Sequence, residues 1–159
     1  MADESVARES GPPPTVAKTP DLPVDAPTAD WVAPPPPATE LPRRVAKPWG
    51  SELIWAWTTR YVGKVITIEA GRRLSLQYHE HKDEWLYVLD GRLRLTLEGD
   101  DGVIATSELG AGGSAHVPTG RTHRYEAIET VRLIEVSTPE LDDVVRLEDD
   151  FGREGTSAP

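Results

Sequence analysis

Apolar and polar residues alternate in short runs through the middle of the chain, with the period of two that side chains have in a β-strand. Residues 92–97 show this most clearly, because Leu93, Leu95 and Leu97 are separated by charged or polar residues. The dipeptide Asp90-Gly91 lies between this run and the apolar run before it, which is a strong hairpin signal. The pattern therefore predicts β-strands that bury one face.

Turns rich in glycine, proline and aspartate separate the predicted strands. The strands are predicted at residues 51–57, 61–69, 74–81, 84–89, 92–97, 103–106, 114–117, 123–128 and 132–137. Helical periodicity is nearly absent, and only residues 140–145 fit one turn of helix. Many short strands at regular spacing predict an all-β sandwich or barrel.

Proline content sets the first 43 residues apart from the rest of the chain. Residues 1–43 hold 11 of the 15 prolines, and their apolar residues are sparse and follow no period. Such a segment cannot bury enough surface to offset its ordering entropy. We therefore predict a disordered tail at 1–43, one domain at 44–153 and a disordered end at 154–159. Composition favours a solvated tail, although it could bind a proline-recognising partner or pack on the domain through Trp31.

Charge and cysteine content narrow the function classes. The 159 residues carry a formal net charge of −10, which disfavours a nucleic-acid partner because phosphate binding needs a basic surface. No apolar run approaches the roughly 20 residues of a membrane span, and the acidic N-terminus does not resemble a signal peptide. A cytoplasmic protein is the default expectation. The absence of cysteine excludes disulfides and thiolate metal sites.

Candidate chemistry centres on residues 74–85, which hold two of the four histidines. In a strand, Gln77, His79 and His81 would share one face, and Glu84 follows after a short break. With His123 added from later in the chain, these side chains suit a divalent transition metal such as zinc, iron, manganese, cobalt or nickel. A histidine pair alone would more often lie on the surface of an edge strand, so the metal hypothesis needs further support.

Two ordered motifs supply that support. They read His79-x-His81-x2-Glu84-x6-Gly91 and Gly112-x5-Pro118-x-Gly120-x2-His123. The tight turn before His123 can deliver this histidine to the same interior as the first pair. In this order and at these spacings, the two halves resemble the paired signature motifs of the cupin superfamily.

A narrower resemblance is to the C-terminal mannose-6-phosphate isomerase domain of the type II, bifunctional isomerase/guanylyltransferase family. The segments that carry it are Lys47-Pro48-Trp49-Gly50, Gly71 to His81, and residues 117–124, 133–136 and 142–149. The likeness covers roughly residues 45–153 and implies a cupin jelly-roll barrel, also called a double-stranded β-helix. By motif position it implies a metal, with zinc as the first expectation, bound by His79, His81, Glu84 and His123.

The resemblance also implies a sugar-phosphate substrate and an aldose–ketose isomerisation. Gln77 would ligate the metal or contact the substrate, since type I isomerases have a similar Gln-x-His pair at their metal. Arginine suits phosphate because its fork can bind two oxygens. The arginine candidates are Arg73 first and Arg121 second, with Arg146 and Arg153 as residues at the cavity mouth. The candidate bases are Glu80, Asp83 and Glu135.

Departures from the family leave other functions open. The chain has Glu84-Trp85-Leu86 where the family usually reads Glu-His-Trp, and Ala127 where the second motif often ends in asparagine. The resemblance also implies that these 159 residues correspond to the isomerase domain alone, without the nucleotidyltransferase domain of the bifunctional enzymes. The alternatives are another metal-cupin enzyme, such as an iron dioxygenase or an epimerase-like enzyme, and a non-catalytic cupin that binds a sugar or another small molecule. The resemblance makes a homodimer a reasonable expectation.

Overall fold

The computed structural model describes residues 33–153 and 155–156, and the fold is given for these residues. The disorder predicted for residues 1–32, for residue 154 and for residues 157–159 lies outside them. In the described part of the chain, no helix is long and apolar enough to cross a membrane.

Twelve strands and one short 3-10 helix, Ala38–Glu40, make up the described chain. The strands are β1 (Arg43–Lys47), β2 (Gly50–Trp57), β3 (Val62–Ile68), β4 (Leu76–Tyr78), β5 (Glu84–Asp90), β6 (Arg92–Glu98), β7 (Ile104–Gly110), β8 (Ser114–Val117), β9 (His123–Ala127), β10 (Val131–Ser137), β11 (Val145–Glu148) and β12 (Gly155–Thr156). The prediction of an all-β domain is confirmed.

The strands form two six-stranded antiparallel sheets. The first sheet has the order β1-β2-β3-β10-β5-β8, and the second has the order β12-β11-β4-β9-β6-β7. Apolar side chains from the two sheets pack against each other and form one core. The core residues are Trp49, Ile66, Ile68, Leu86, Val88, Leu93, Leu95, Val117, Tyr125, Ala127, Val131 and Leu133.

The hairpin between β5 and β6 forms where the sequence predicts it. Gly91 has a φ of 80°, and a Cβ there would lie 2.1 Å from the carbonyl oxygen of Thr130, so only glycine fits. After this turn, Leu93 and Leu95 are buried and Leu97 packs against the core. The period of two therefore determines which face of β6 is inside.

The structure differs from the predictions at residues 74–81 and at residues 140–145. The strand predicted at 74–81 ends at Tyr78, because the carboxylate of Asp143 accepts backbone N–H groups of Glu80, His81 and Lys82, at 3.0, 2.6 and 2.8 Å, and turns the chain. The turn of helix predicted at 140–145 is wrong. A short turn there leads into β11, which pairs with β4 instead.

Candidate metal centre

The metal candidates meet where three strands begin or end. His79 follows the end of β4, Glu84 is the first residue of β5, and His123 is the first residue of β9. Gln77 of β4 lies directly opposite His123 in the sheet register. His79, Glu84 and His123 are all buried, and each offers one ligand atom within 4.8 Å of the other two.

Both imidazoles are oriented by backbone carbonyl groups. Nδ1 of His79 contacts the carbonyl oxygen of Asp143, and Nδ1 of His123 lies 2.9 Å from the carbonyl oxygen of Arg121. A carbonyl oxygen can only accept, so each Nδ1 carries a proton, and Nε2 is the ring atom of the neutral imidazole that can bind a metal. Such contacts are typical of metal-binding histidines.

His79 has the clearest ligand character of the group. Its Nε2 is buried and has no hydrogen-bond partner among the described residues. Burial, together with the nearby Lys82 ammonium, lowers the pKa of His79 to about 4. The imidazole is therefore neutral near pH 7, which is the form that binds a metal.

Glu84 supplies the carboxylate of the group. Its Oε1 accepts a 2.7 Å hydrogen bond from the hydroxyl of Tyr125, and its Oε2 accepts one from the ammonium of Lys82. Burial alone would raise its pKa, but Lys82 and then His123 hold it well below the ordinary value. Each oxygen has two lone pairs, so Glu84 can keep both partners and still bind a cation. Two imidazole nitrogens and one carboxylate fit a divalent transition metal.

His81 does not join this cluster. It is exposed, since it follows the turn that ends β4, where the alternation of the strand no longer applies. Gln77 is buried on the strand itself, with its amide nitrogen 3.4 Å from Nε2 of His123 and its oxygen accepting from Ser75. If the amide rotates by 180°, its oxygen faces the cluster. The structure thus brings Gln77, His79, Glu84 and His123 together.

A cavity of about 410 Å³ opens beside these residues, and its wall includes Gln77, His79 and Glu84. Lys64, Lys82 and Glu135 also line it, and all three are buried. The Glu135 Oε1 atom lies 2.9 Å from the Lys82 ammonium and 3.3 Å from that of Lys64.

Glu135 and Lys82 keep each other ionised. Burial alone would raise the pKa of Glu135, but Lys64 and Lys82 hold it below its ordinary value. Burial alone would lower the pKa of Lys82, but Glu135 and Glu84 raise it above the usual range. The cavity thus combines a cluster suited to a metal with a second carboxylate that can accept a proton.

Two predicted phosphate ligands do not line this cavity. Arg73 makes two hydrogen bonds to Asp150, at 2.7 and 2.8 Å. Arg121 donates to the carbonyl oxygen of Gly99 and to Asp100, both at 2.8 Å. The C-terminal candidates, Arg146 and Arg153, do line the cavity.

Of the three candidate bases, the cavity wall includes Glu135. Glu80 is exposed, and Asp83 lies 2.8 Å from His116. Sequence reasoning missed both lysines. Lys64 had a usable signal, because it occupies the inward-facing phase of β3 with Val62 and Ile66. Lys82 had none, because it lies in a turn without periodicity.

The chain matches a known family and several curated relatives over most of its length. Residues 37–149 match the family described as mannose-6-phosphate isomerase C-terminal. The chain is 35% identical over 116 residues to the mannose-1-phosphate guanylyltransferase ManC of Salmonella typhimurium, a match that covers 70% of the chain and 23% of that protein. The xanthan biosynthesis protein XanB of Xanthomonas campestris is also 35% identical, with 70% and 24% covered. The chain thus spans about a quarter of the length of these relatives.

Solved structures share the architecture. One is a structure of an oxalate decarboxylase, with a TM-score of 0.58 and 25% identity over 66% of this chain and 30% of that one. Another describes the Mn(II) centres of the Bacillus subtilis oxalate decarboxylase, with a TM-score of 0.58, 24% identity and the same shares covered. KdgF from Halomonas sp. has a TM-score of 0.55 and 23% identity over 64% of this chain and 91% of that one. The predicted cupin jelly-roll fold is confirmed.

Proposed function

Because this chain belongs to the cupin-type family of mannose-6-phosphate isomerase C-terminal domains, we propose that it is a metal-dependent aldose–ketose isomerase acting on a sugar phosphate. One observation carries the proposal. His79 and Glu84 of the buried cluster line the same cavity as Glu135, a second ionised carboxylate. An isomerase needs both parts, since it must polarise oxygens and also move a proton between two carbons.

The proposed metal, held by His79, Glu84 and His123, would polarise the oxygens on C1 and C2 of the open-chain sugar. Gln77, buried next to His123, would orient one of these oxygens through its amide. The other tasks fall to Glu135 and Lys82, which lie 2.9 Å apart at the cavity wall.

In this scheme the Glu135 carboxylate takes the proton from C2 of the aldose. The electron pair of that C–H bond forms the C1–C2 double bond of an enediol, while the Lys82 ammonium donates a proton to O1. The O2 hydroxyl then returns a proton to Lys82 as C2 becomes the carbonyl carbon, and Glu135 delivers its proton to C1. One C–H and one O–H bond are thus moved, and both residues regain their starting state.

The test is interconversion of mannose 6-phosphate and fructose 6-phosphate by the full chain. The protein is stripped with a chelator and reloaded separately with zinc, which we propose as the resident metal, or with manganese, iron, cobalt or nickel. Turnover should require metal, and Glu135→Gln should lower kcat by about 10²- to 10⁴-fold, the usual contribution of a general base. Metal content, measured by elemental analysis, should stay the same in this variant.

Glu129→Gln is the matched control. Glu129 is exposed and pairs with Arg92 away from the cavity, so this variant should keep full turnover. A metal-loaded protein that leaves mannose 6-phosphate unchanged would sink the isomerase proposal. Full activity of Glu135→Gln would remove Glu135 from the mechanism.

A further inference from the structure

Cationic side chains from both sheets surround the mouth of the cavity. Arg43 and Lys47 project from β1 at one edge of the first sheet, while Arg146 lies on β11 and Arg153 precedes β12 at the edge of the second. Glu52, 3.9 Å from Lys47, and Asp142 also line the cavity. In a chain of net charge −10, four cations at one opening reverse the overall charge locally. Such a cluster favours an anionic ligand.

Arg146 stands in line with the metal candidates. In the second sheet it lies directly opposite Gln77, which in turn lies directly opposite His123. Residues opposite each other on neighbouring strands share one face of the sheet, so the three form a row on that face, and Gln77 and Arg146 of this row line the cavity. Two strand spacings, about 10 Å, separate the backbones of Arg146 and His123.

Two buried N–H donors at this cavity lack acceptors. Nε of Arg146 and Nε1 of Trp57 are buried and have no hydrogen-bond partner within residues 33–153 and 155–156. Leaving a buried donor unpaired is costly, so a ligand that offers only acceptors would stabilise this arrangement. The guanidinium of Arg43, 5.7 Å from the centre of the Trp57 ring, adds positive charge beside one of these donors.

The nearby carboxylate is already engaged. Asp149 binds Arg153 through a 2.7 Å contact, which leaves Arg146 without a carboxylate of its own among the ion pairs of the described residues. Burial and then the neighbouring Arg153 lower the pKa of Arg146. An anion between the two guanidinium groups would relieve this repulsion.

We propose that the cavity mouth binds the phosphate dianion of the substrate, with Arg146 as the main ligand and with Arg43 and the Trp57 indole as further donors. The identity of the sugar rests on the proposed function, whereas the binding of a phosphomonoester at this site does not. An open-chain hexose with a terminal phosphate has a length comparable to the row from His123 to Arg146. This spacing suits a sugar whose phosphate is at the opposite end from its carbonyl group.

The test compares Arg146→Met with the unaltered chain in calorimetric binding, at fixed ionic strength, of mannose 6-phosphate, mannose and inorganic phosphate. Loss of a charged hydrogen-bonding partner should weaken binding of the sugar phosphate and of inorganic phosphate by about 10- to 100-fold. The affinity for mannose and the metal content should not change. If turnover is found, KM should rise while kcat stays within about threefold, since the phosphate is remote from the reacting carbons.

Arg73→Met and Arg121→Met are matched controls, because both side chains pair with aspartates outside the cavity and should leave phosphate binding unchanged. Arg43→Met, on the other sheet, is a second test variant if Arg146→Met folds poorly. Unchanged binding of mannose 6-phosphate in Arg146→Met and in Arg43→Met overturns the phosphate site, even if the chain is an isomerase. Weakened binding in a chain without turnover supports the phosphate site and overturns the isomerase function.

Discussion

Replacing His79 with alanine is expected to lower the affinity for a divalent metal by more than about 100-fold. Changes to residues that merely orient a metal ligand typically cost 10- to 100-fold, so loss of a ligand should cost more. Nε2 of His79 is buried and has no hydrogen-bond partner among the described residues, so it is free to bind a metal. The measurement is competition for zinc with a chromogenic chelator, with folding checked by circular dichroism.

His81→Ala provides the matched control, because it makes the same change two residues away in an exposed turn. We expect this variant to bind metal within about twofold of the unaltered chain, since His81 is exposed and the ligand atoms that lie together belong to His79, Glu84 and His123. If His81→Ala lost metal as severely as His79→Ala, His81 would be a metal ligand, as the sequence motif predicts.

Replacing Lys82 with methionine is expected to destabilise the metal-free protein by about 3–5 kcal/mol, the usual cost of removing one partner from a buried ion pair. The change leaves the buried carboxylates of Glu84 and Glu135 without the ammonium that lies between them. Denaturant unfolding in the presence of a chelator measures the free energy of unfolding.

Lys47→Met is the control for the same chemical change. The Lys47 ammonium is partly exposed and lies 3.9 Å from Glu52, so its loss should cost no more than about 1 kcal/mol. Equal stability of the two variants would contradict the view that Lys82 organises the cavity wall.

The sequence predicts the fold well where local rules decide it. The alternation in residues 92–97 and the glycine at 91 determine β6 and its hairpin, because a period of two and a positive φ are properties of a few neighbouring residues. The prediction fails at His81, where the same period was carried past the end of the strand. The strand ends because of Asp143, which lies 62 residues after His81. The sequence around His81 therefore does not show where the strand ends.

In the candidate site, too, local patterns predict some residues correctly, while contacts with distant residues determine the others. His79, Glu84 and His123 are found by motif spacing, and Gln77 by its phase on the strand. Whether a candidate arginine faces the cavity depends on which side chain it pairs with elsewhere in the chain. Arg73 is paired by Asp150, 77 residues later, which the sequence does not reveal. The homodimer, the partner of the proline-rich tail and the cytoplasmic location stay predictions.

The most direct test of the metal centre is an X-ray anomalous difference map of crystals of the full chain loaded with zinc or manganese. We predict one strong peak about 2.0–2.3 Å from Nε2 of His79, Nε2 of His123 and a carboxylate oxygen of Glu84. A peak on His81, or no peak at the buried cluster under saturating metal, would contradict the account.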